Sequence, residues 1–167
     1  MKQSKKEILF YVIPFLILVF ILALIYFFHL RIYKIVGNSM NPTLVENAYV
    51  LSYQTSYQRQ DIIAFKHKQA IMIKRIIAIS QDKVDIKEDG TIYVNDIKLT
   101  EPYLNNKKSL GEVDIPFPYI VPENSYFVLG DNRSSSLDSR HTPIGTIKEE
   151  DIIGKVGLSL LPFKSLN

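Results

Sequence analysis

The chain of 167 residues contains no cysteine. That excludes a disulfide, a thiolate metal site and a cysteine nucleophile, without fixing a compartment. Histidine is scarce: His29, His67 and His141 lie far apart and show no metal-ligand spacing. No metal and no cofactor is therefore expected. No long block of one charge sign occurs, and the formal net charge is only +3. Such a balance allows contact with an anionic lipid surface but gives no footprint for nucleic acid. No internal repeat is visible, and no sustained helical period occurs after Arg31.

What the chain does have is one long apolar run. Ile8 to Phe28 is uncharged over 21 residues, and a helix of that length covers about 30 Å, the thickness of a hydrocarbon core. Pro14 would bend such a helix without preventing insertion. Tyr11 and Tyr26 lie near its ends, where amphipathic rings favour the interface. A cleaved secretory signal is the competing reading, but Tyr26-Phe27-Phe28-His29-Leu30-Arg31 offers no small-residue cleavage site. A buried core helix is the other alternative. Lys2, Lys5 and Lys6 precede the run, and Arg31 and Lys34 follow it. The positive-inside rule then predicts residues 1–7 in the cytoplasm, 8–28 across the bilayer and 29–167 outside, as a single-pass protein of the cell membrane.

Beyond the anchor, short segments rich in Ile, Val and Tyr alternate with Asn, Asp, Gly and Pro. The expected strands are Tyr49–Tyr53, Asp61–Phe65, Ala70–Ile79, Lys83–Lys87, Thr91–Val94, Ile97–Leu99, Tyr126–Leu129 and Ile152–Leu160. Asn95-Asp96 reads as a two-residue hairpin turn, because both residues tolerate positive φ. The fold class is mainly β: an antiparallel barrel or sandwich-like body. The Pro-rich stretch from 104 to 124 reads as a small inserted cap.

Two residues suggest chemistry. Ser39 stands in Ser39-Met40-Asn41-Pro42-Thr43, about ten residues past the apolar run. Lys74 stands inside an apolar strand, where alternation places Ala70, Met72, Lys74, Ile76 and Ala78 on one face. An ammonium buried among such neighbours lowers its pKa. A neutral amine can take the proton of a serine hydroxyl, which then attacks a carbonyl. A Ser-Lys dyad needs no histidine. The plainer alternative is a solvent-reaching lysine and a turn serine. Arg75, on the opposite face, is expected to pair with an acid. Gly130 to Arg140 is dense in acids, arginines and hydroxyls; it reads as a turn able to fix a neighbouring site.

Taken in order, four motifs resemble the type I signal peptidases in their Gram-positive form: Ser39 to Thr43, Arg59 to Phe65, Lys74 to Ile77 with Asp82-Lys83-Val84, and Gly130 to Arg140. The resemblance spans nearly the whole chain. It implies a membrane-anchored serine endopeptidase that removes signal peptides from secretory preproteins after small residues. Ser39 would be the nucleophile and Lys74 the general base. Ser136 would hydrogen-bond and orient the lysine, Asp138 and Arg140 would hold that loop, and Asp131 would pair with Arg75. The Ser39 N–H would form part of the oxyanion hole. Gly37 stands where some relatives carry a serine hydroxyl for that hole, so the second donor is unassigned. Gln60, Ala78 and Ser80-Gln81 replace glycines of the family pattern.

The implied partners are secretory preproteins and the lipid bilayer, with a secretion translocon as a further candidate. Met40, Ile35 and Met72 are candidate walls of the small-residue pockets, with plain core packing as the alternative. Ile71 to Ile73 offers a strand edge for an extended substrate. Leu158–Phe163 is the last strand or, with outward side chains, a seat on the outer leaflet. Two other classes compete. A catalytically silent membrane subunit assisting secretion or pilus assembly would not require both Ser39 and Lys74. A self-cleaving Ser/Lys regulator would require an internal cleavage site and a DNA-binding domain, and neither is present.

Overall fold

The computed structural model describes residues 5–104, 108–161 and 163–166. Among the described residues one α-helix, α1 (Lys5–Phe28), precedes a body of strands with three single-turn 3-10 helices. It is apolar on every face over Leu9–Phe27, contains Pro14, and that stretch is not buried. An α-helix satisfies its own backbone polar groups, so a long uncharged run can leave water as a helix. This one is long and apolar enough to cross a membrane.

Among the described residues the body holds twelve strands: β1 (Arg31–Lys34), β2 (Tyr49–Tyr53), β3 (Ile62–His67), β4 (Ala70–Ala78), β5 (Lys83–Ile86), β6 (Ile92–Val94), β7 (Ile97–Lys98), β8 (Tyr119–Ile120), β9 (Ser125–Leu129), β10 (Ile147–Lys148), β11 (Ile152–Leu161) and β12 (Phe163–Ser165). Every pairing is antiparallel. The main sheet runs β1-β2-β11-β3-β4-β9-β10, with β12 folded back on β11; a second sheet runs β7-β6-β5-β8. The mainly β, antiparallel class is as the sequence predicts. β1, β8, β10 and β12 were not among the expected strands.

Asn95 and Asp96 turn β6 into β7 with φ of 53° and 66°, as their tolerance of the left-handed region predicts. The excursion from the main sheet is wider than residues 104–124. It begins at β5, because two local hairpins pair before β8 returns to cover the far edge of β5. Residues 105–107, expected to open the cap, lie outside the described residues.

Three apolar clusters fill the body. Ile77, Ala78, Phe127 and Leu129 pack with Val84 and Ile92 between the two sheets. Ile62, Ala64 and Val156 pack with Ile35, Met40 and Leu44 on one side of the main sheet. Ile63, Phe65, Ile76 and Val128 form the third. The placement of Ala78 beside Lys74 on one face does not hold. The register of β4 against β9 shifts between Ile76 and Ala78. That extra residue turns Ile77 and Ala78 together into the inter-sheet cluster, while Ile76 stays with Ile63. Of the expected Leu158–Phe163 segment, Leu158 and Leu160 are half-buried at the end of β11, whereas Phe163 is 79 % exposed. Pro162 lies outside the described residues.

Candidate active site

Ser39 sits in a loop that leaves and re-enters the sheet at one point. Ile35 N–H donates to Ala48 C=O at 2.8 Å, and Asn47 N–H to Ile35 C=O at 2.9 Å. Between these ties, Gly37 takes a φ of +84°, which glycine reaches without steric cost. Met40 and Leu44 are driven into the core at 2 % and 1 % exposure. Leu44 N–H closes the turn on Met40 C=O at 2.9 Å. Two apolar anchors thus follow the serine, leaving Ser39 itself half-buried at the surface.

Lys74 comes from the middle of β4, directly across from Ile63 of β3. It is 3 % exposed. Its Nζ lies 2.8 Å from Ser39 Oγ and donates to Ile73 C=O at 3.1 Å. Burial lowers its pKa to about 8, against the opposing pull of Asp138 and Asp131. About a tenth of the amine is therefore uncharged at pH 7, against far less than a hundredth for an ordinary lysine. With one N–H held by Ile73 C=O, the lone pair of the neutral amine is free to accept the Ser39 hydroxyl proton.

The loop after β9 supports both residues. Asn132 N–H donates to Ser39 C=O at 3.0 Å, and Gly130 lies so close that a Cβ there would overlap Ser136 Oγ and the Ser39 carbonyl oxygen. Asp138 accepts Gly130 N–H at 3.0 Å and both sides of the Arg140 guanidinium, from Nε at 2.8 Å and Nη2 at 2.9 Å. Both members of this pair are fully buried. Asp131 accepts Arg75 Nε at 2.8 Å and Nη2 at 2.6 Å. Arg75 also donates to Gln60 C=O at 2.8 Å and lies 3.9 Å from the centre of the Tyr103 ring. Buried bidentate pairs of this kind fix geometry as well as charge.

Ser136 is the exception among the expected contacts. Its Oγ is buried and has no hydrogen-bond partner among the described residues, so the expected bond to Lys74 is not made. The missing side chain of Gly130 leaves the hydroxyl a place beside the Ser39 loop, and the geometry directs it there.

The five residues expected at the substrate (Met40, Ile35, Met72, Ile71 and Ile73) all line one cavity of about 320 Å³ together with Ser39 and Lys74. Met40 and Ile35 serve the core at the same time. A larger groove of about 620 Å³, lined by Arg59, Asp61, Tyr103 and Lys155, includes neither Ser39 nor Lys74. The smaller cavity is the one that holds Ser39 and Lys74.

These motifs can be set against known proteins. The family model described as "Signal peptidase, peptidase S26" matches residues 7–161.

This chain belongs to that family.

It is 34 % identical to "Signal peptidase I" of Bacillus licheniformis, over 98 % of this chain and 94 % of that protein. It is 35 % identical to "Signal peptidase IB" of Staphylococcus aureus (strain COL), over 95 % and 92 %. The crystal structure of a signal peptidase I from Enterococcus faecalis V583 superposes with a TM-score of 0.53 at 31 % identity, covering 62 % of this chain and 98 % of that one. As a member of the signal peptidase family with an exposed apolar N-terminal helix, the protein is a membrane-anchored peptidase.

Sequence reasoning missed several residues around this peptidase site. Tyr33, Val36 and Leu137 also line the cavity. Glu101 and Arg133 form a fully buried ion pair, with Tyr103 Oη donating to the same carboxylate at 2.9 Å. Arg133 had a signal, since it stands in the acid-and-arginine loop. Glu101 had none, because its stretch has no period and its partner is 32 residues away.

Proposed function

We propose that this chain removes signal peptides from secretory preproteins, with Ser39 as nucleophile and Lys74 as general base. The observation that carries the reading is a buried amine of lowered pKa, 2.8 Å from a serine hydroxyl, in a chain of the signal peptidase family.

The neutral Lys74 amine takes the Ser39 proton as Oγ attacks the scissile carbonyl carbon. The tetrahedral oxyanion accepts the Ser39 N–H, which has no acceptor among the described residues. Lys74, now an ammonium, gives its proton to the departing amine of the mature chain. The acyl-enzyme on Ser39 is then hydrolysed by a water that the same amine deprotonates. Asp138–Arg140 and Asp131–Arg75 hold the two loops in register through this cycle. Ser136 Oγ, unpartnered in the resting site, turns its hydroxyl to the lysine and steadies it.

The substrate adds a strand to β4. Ile76 N–H donates to Asp61 C=O and Gln60 N–H to Ile76 C=O, so even-numbered residues of β4 spend their backbone groups on β3. Odd-numbered residues face the other edge, which β9 covers only from Arg75 onward. The Ile71 amide and carbonyl and the Ile73 amide are thus available to an extended peptide, and the Ile73 carbonyl, which accepts Lys74 Nζ, has a second lone pair to offer. The cavity beside them admits small side chains only, since Met40 and Ile35 are immobilised in the core. Positive charge before the anchor puts the N-terminus in the cytoplasm and the catalytic body on the outer side, where preproteins emerge.

The test is processing of a preprotein by the full chain in detergent. Ser39→Ala and Lys74→Ala each abolish cleavage, a loss of at least about a thousandfold, while far-UV circular dichroism stays unchanged. Sustained turnover by Lys74→Ala at neutral pH removes the base assignment.

A further inference from the structure

Leu137 stands out in the loop after β9. Its neighbours Ser136 and Asp138 are buried at 8 % and 0 %, yet Leu137 is 51 % exposed. Nothing in the fold requires an apolar side chain there. It lines the cavity that holds Ser39 and Lys74, and it also lines a second depression of about 230 Å³ walled by Glu112, Ser134, Ser135 and His141. It is the ridge between the two.

The topology gives that ridge a direction. A peptide added to the free edge of β4 runs alongside Ile71 and Ile73 and reaches Ser39 opposite Lys74. It cannot continue along the same edge, because β9 occupies it from Arg75, which pairs with Leu129. It must leave over the residues that follow Leu129, and Leu137 is the large apolar side chain exposed there. Resting on the peptidase reading above, the geometry points to the Glu112 depression as the subsite for the first residues of the mature polypeptide beyond the cut, with Leu137 packing against the chain as it crosses.

The chemistry of the walls sets a preference. Ser134 and Ser135 are exposed hydroxyls. The Arg133 charge is cancelled by Glu101 in a buried pair. Glu112 is exposed and has no ion-pair partner among the described residues. An unpaired carboxylate at the exit favours basic or neutral residues just after the cut and repels acidic ones.

The experiment uses the full chain in detergent and peptides that are identical up to the cut. One pair carries Lys or Asp within the first three positions after it; a control peptide ends one residue beyond it. For the native protein, kcat/KM favours the Lys peptide by about fivefold, in line with a part-exposed charge contact. Glu112→Gln levels the ratio and Glu112→Lys inverts it. Leu137→Ser lowers kcat/KM on the long peptides by about fivefold more than on the control peptide, chiefly through KM. A Lys-to-Asp ratio unchanged by Glu112→Lys, or an equal loss on long and control peptides, overturns the inference while leaving the peptidase reading intact. No cleavage of any peptide by the native protein overturns both.

Discussion

Lys74 is where burial and charge compete most directly. Asp138 and Asp131 lie near enough to favour an ammonium, yet desolvation wins and the pKa falls to about 8. Both carboxylates are already taken, one by Arg140 and the other by Arg75. Their net field at the amine is correspondingly weak, and the loss of water decides. The shift also bears on stability. In the unfolded chain the amine holds its proton up to the ordinary value of 10.5, and in the folded chain only up to about 8. The unfolded state therefore binds more protons between those values, stability rises with pH across that window, and the full penalty applies below it. Lys74→Met should stabilise the protein at neutral pH by roughly 3 kcal/mol, with the gain shrinking above about pH 8. Urea unfolding of both proteins across that range checks it; a gain that does not vary with pH contradicts it. Sequence made Lys74 and Ser39 legible because a lone cation in an apolar strand and a serine just past an apolar anchor are both unusual. It could not reveal that the Ser136 hydroxyl sits against Gly130 without a hydrogen bond to Lys74, because that depends on the missing Cβ of a residue six positions earlier.

Between elements, two loops far apart in sequence are clasped by backbone contacts. Asn132 N–H reaches Ser39 C=O, and Gly130 is packed beneath the same carbonyl. The close approach, rather than any unusual φ, requires the glycine. Gly130→Ala pushes the Ser39 loop off its seat. Its expected effect is a fall in kcat of about a hundredfold, with native-like circular dichroism. Preprotein processing measures it, and near-native turnover contradicts the clasp. The long strands were readable because β2, β3, β4 and β11 carry sustained apolar patterns. The bulge in β4 was not, because Ile76, Ile77, Ala78 and Ile79 are all apolar and such a run carries no mark of a change of face. The true extent of the second sheet was hidden for a related reason. β8 is two residues long, and its pairing with β5 is what extends the sheet of the hairpins from 83 to 98 to the later stretch.

At the scale of the molecule, the anchor and the catalytic body are physically separate. The helix is apolar all round and its Leu9–Phe27 stretch is not buried, whereas the body has three cores of its own. Removing residues 1–28 should leave the strand content and the cleavage of short peptides intact, while processing of preproteins presented on vesicles falls by at least about tenfold through lost effective concentration. Equal losses on both substrates contradict that separation. The anchor was the most legible part of the chain, since its length and lack of charge state a physical requirement directly. Cleavage by this chain turns on the titration of one amine. The most direct measurement is kcat/KM for preprotein cleavage from about pH 6 to about pH 9.5. The predicted profile rises about tenfold per pH unit at the acid end, bends near the Lys74 pKa of about 8, and levels above it. A rate independent of pH over that range contradicts an uncharged lysine as the base.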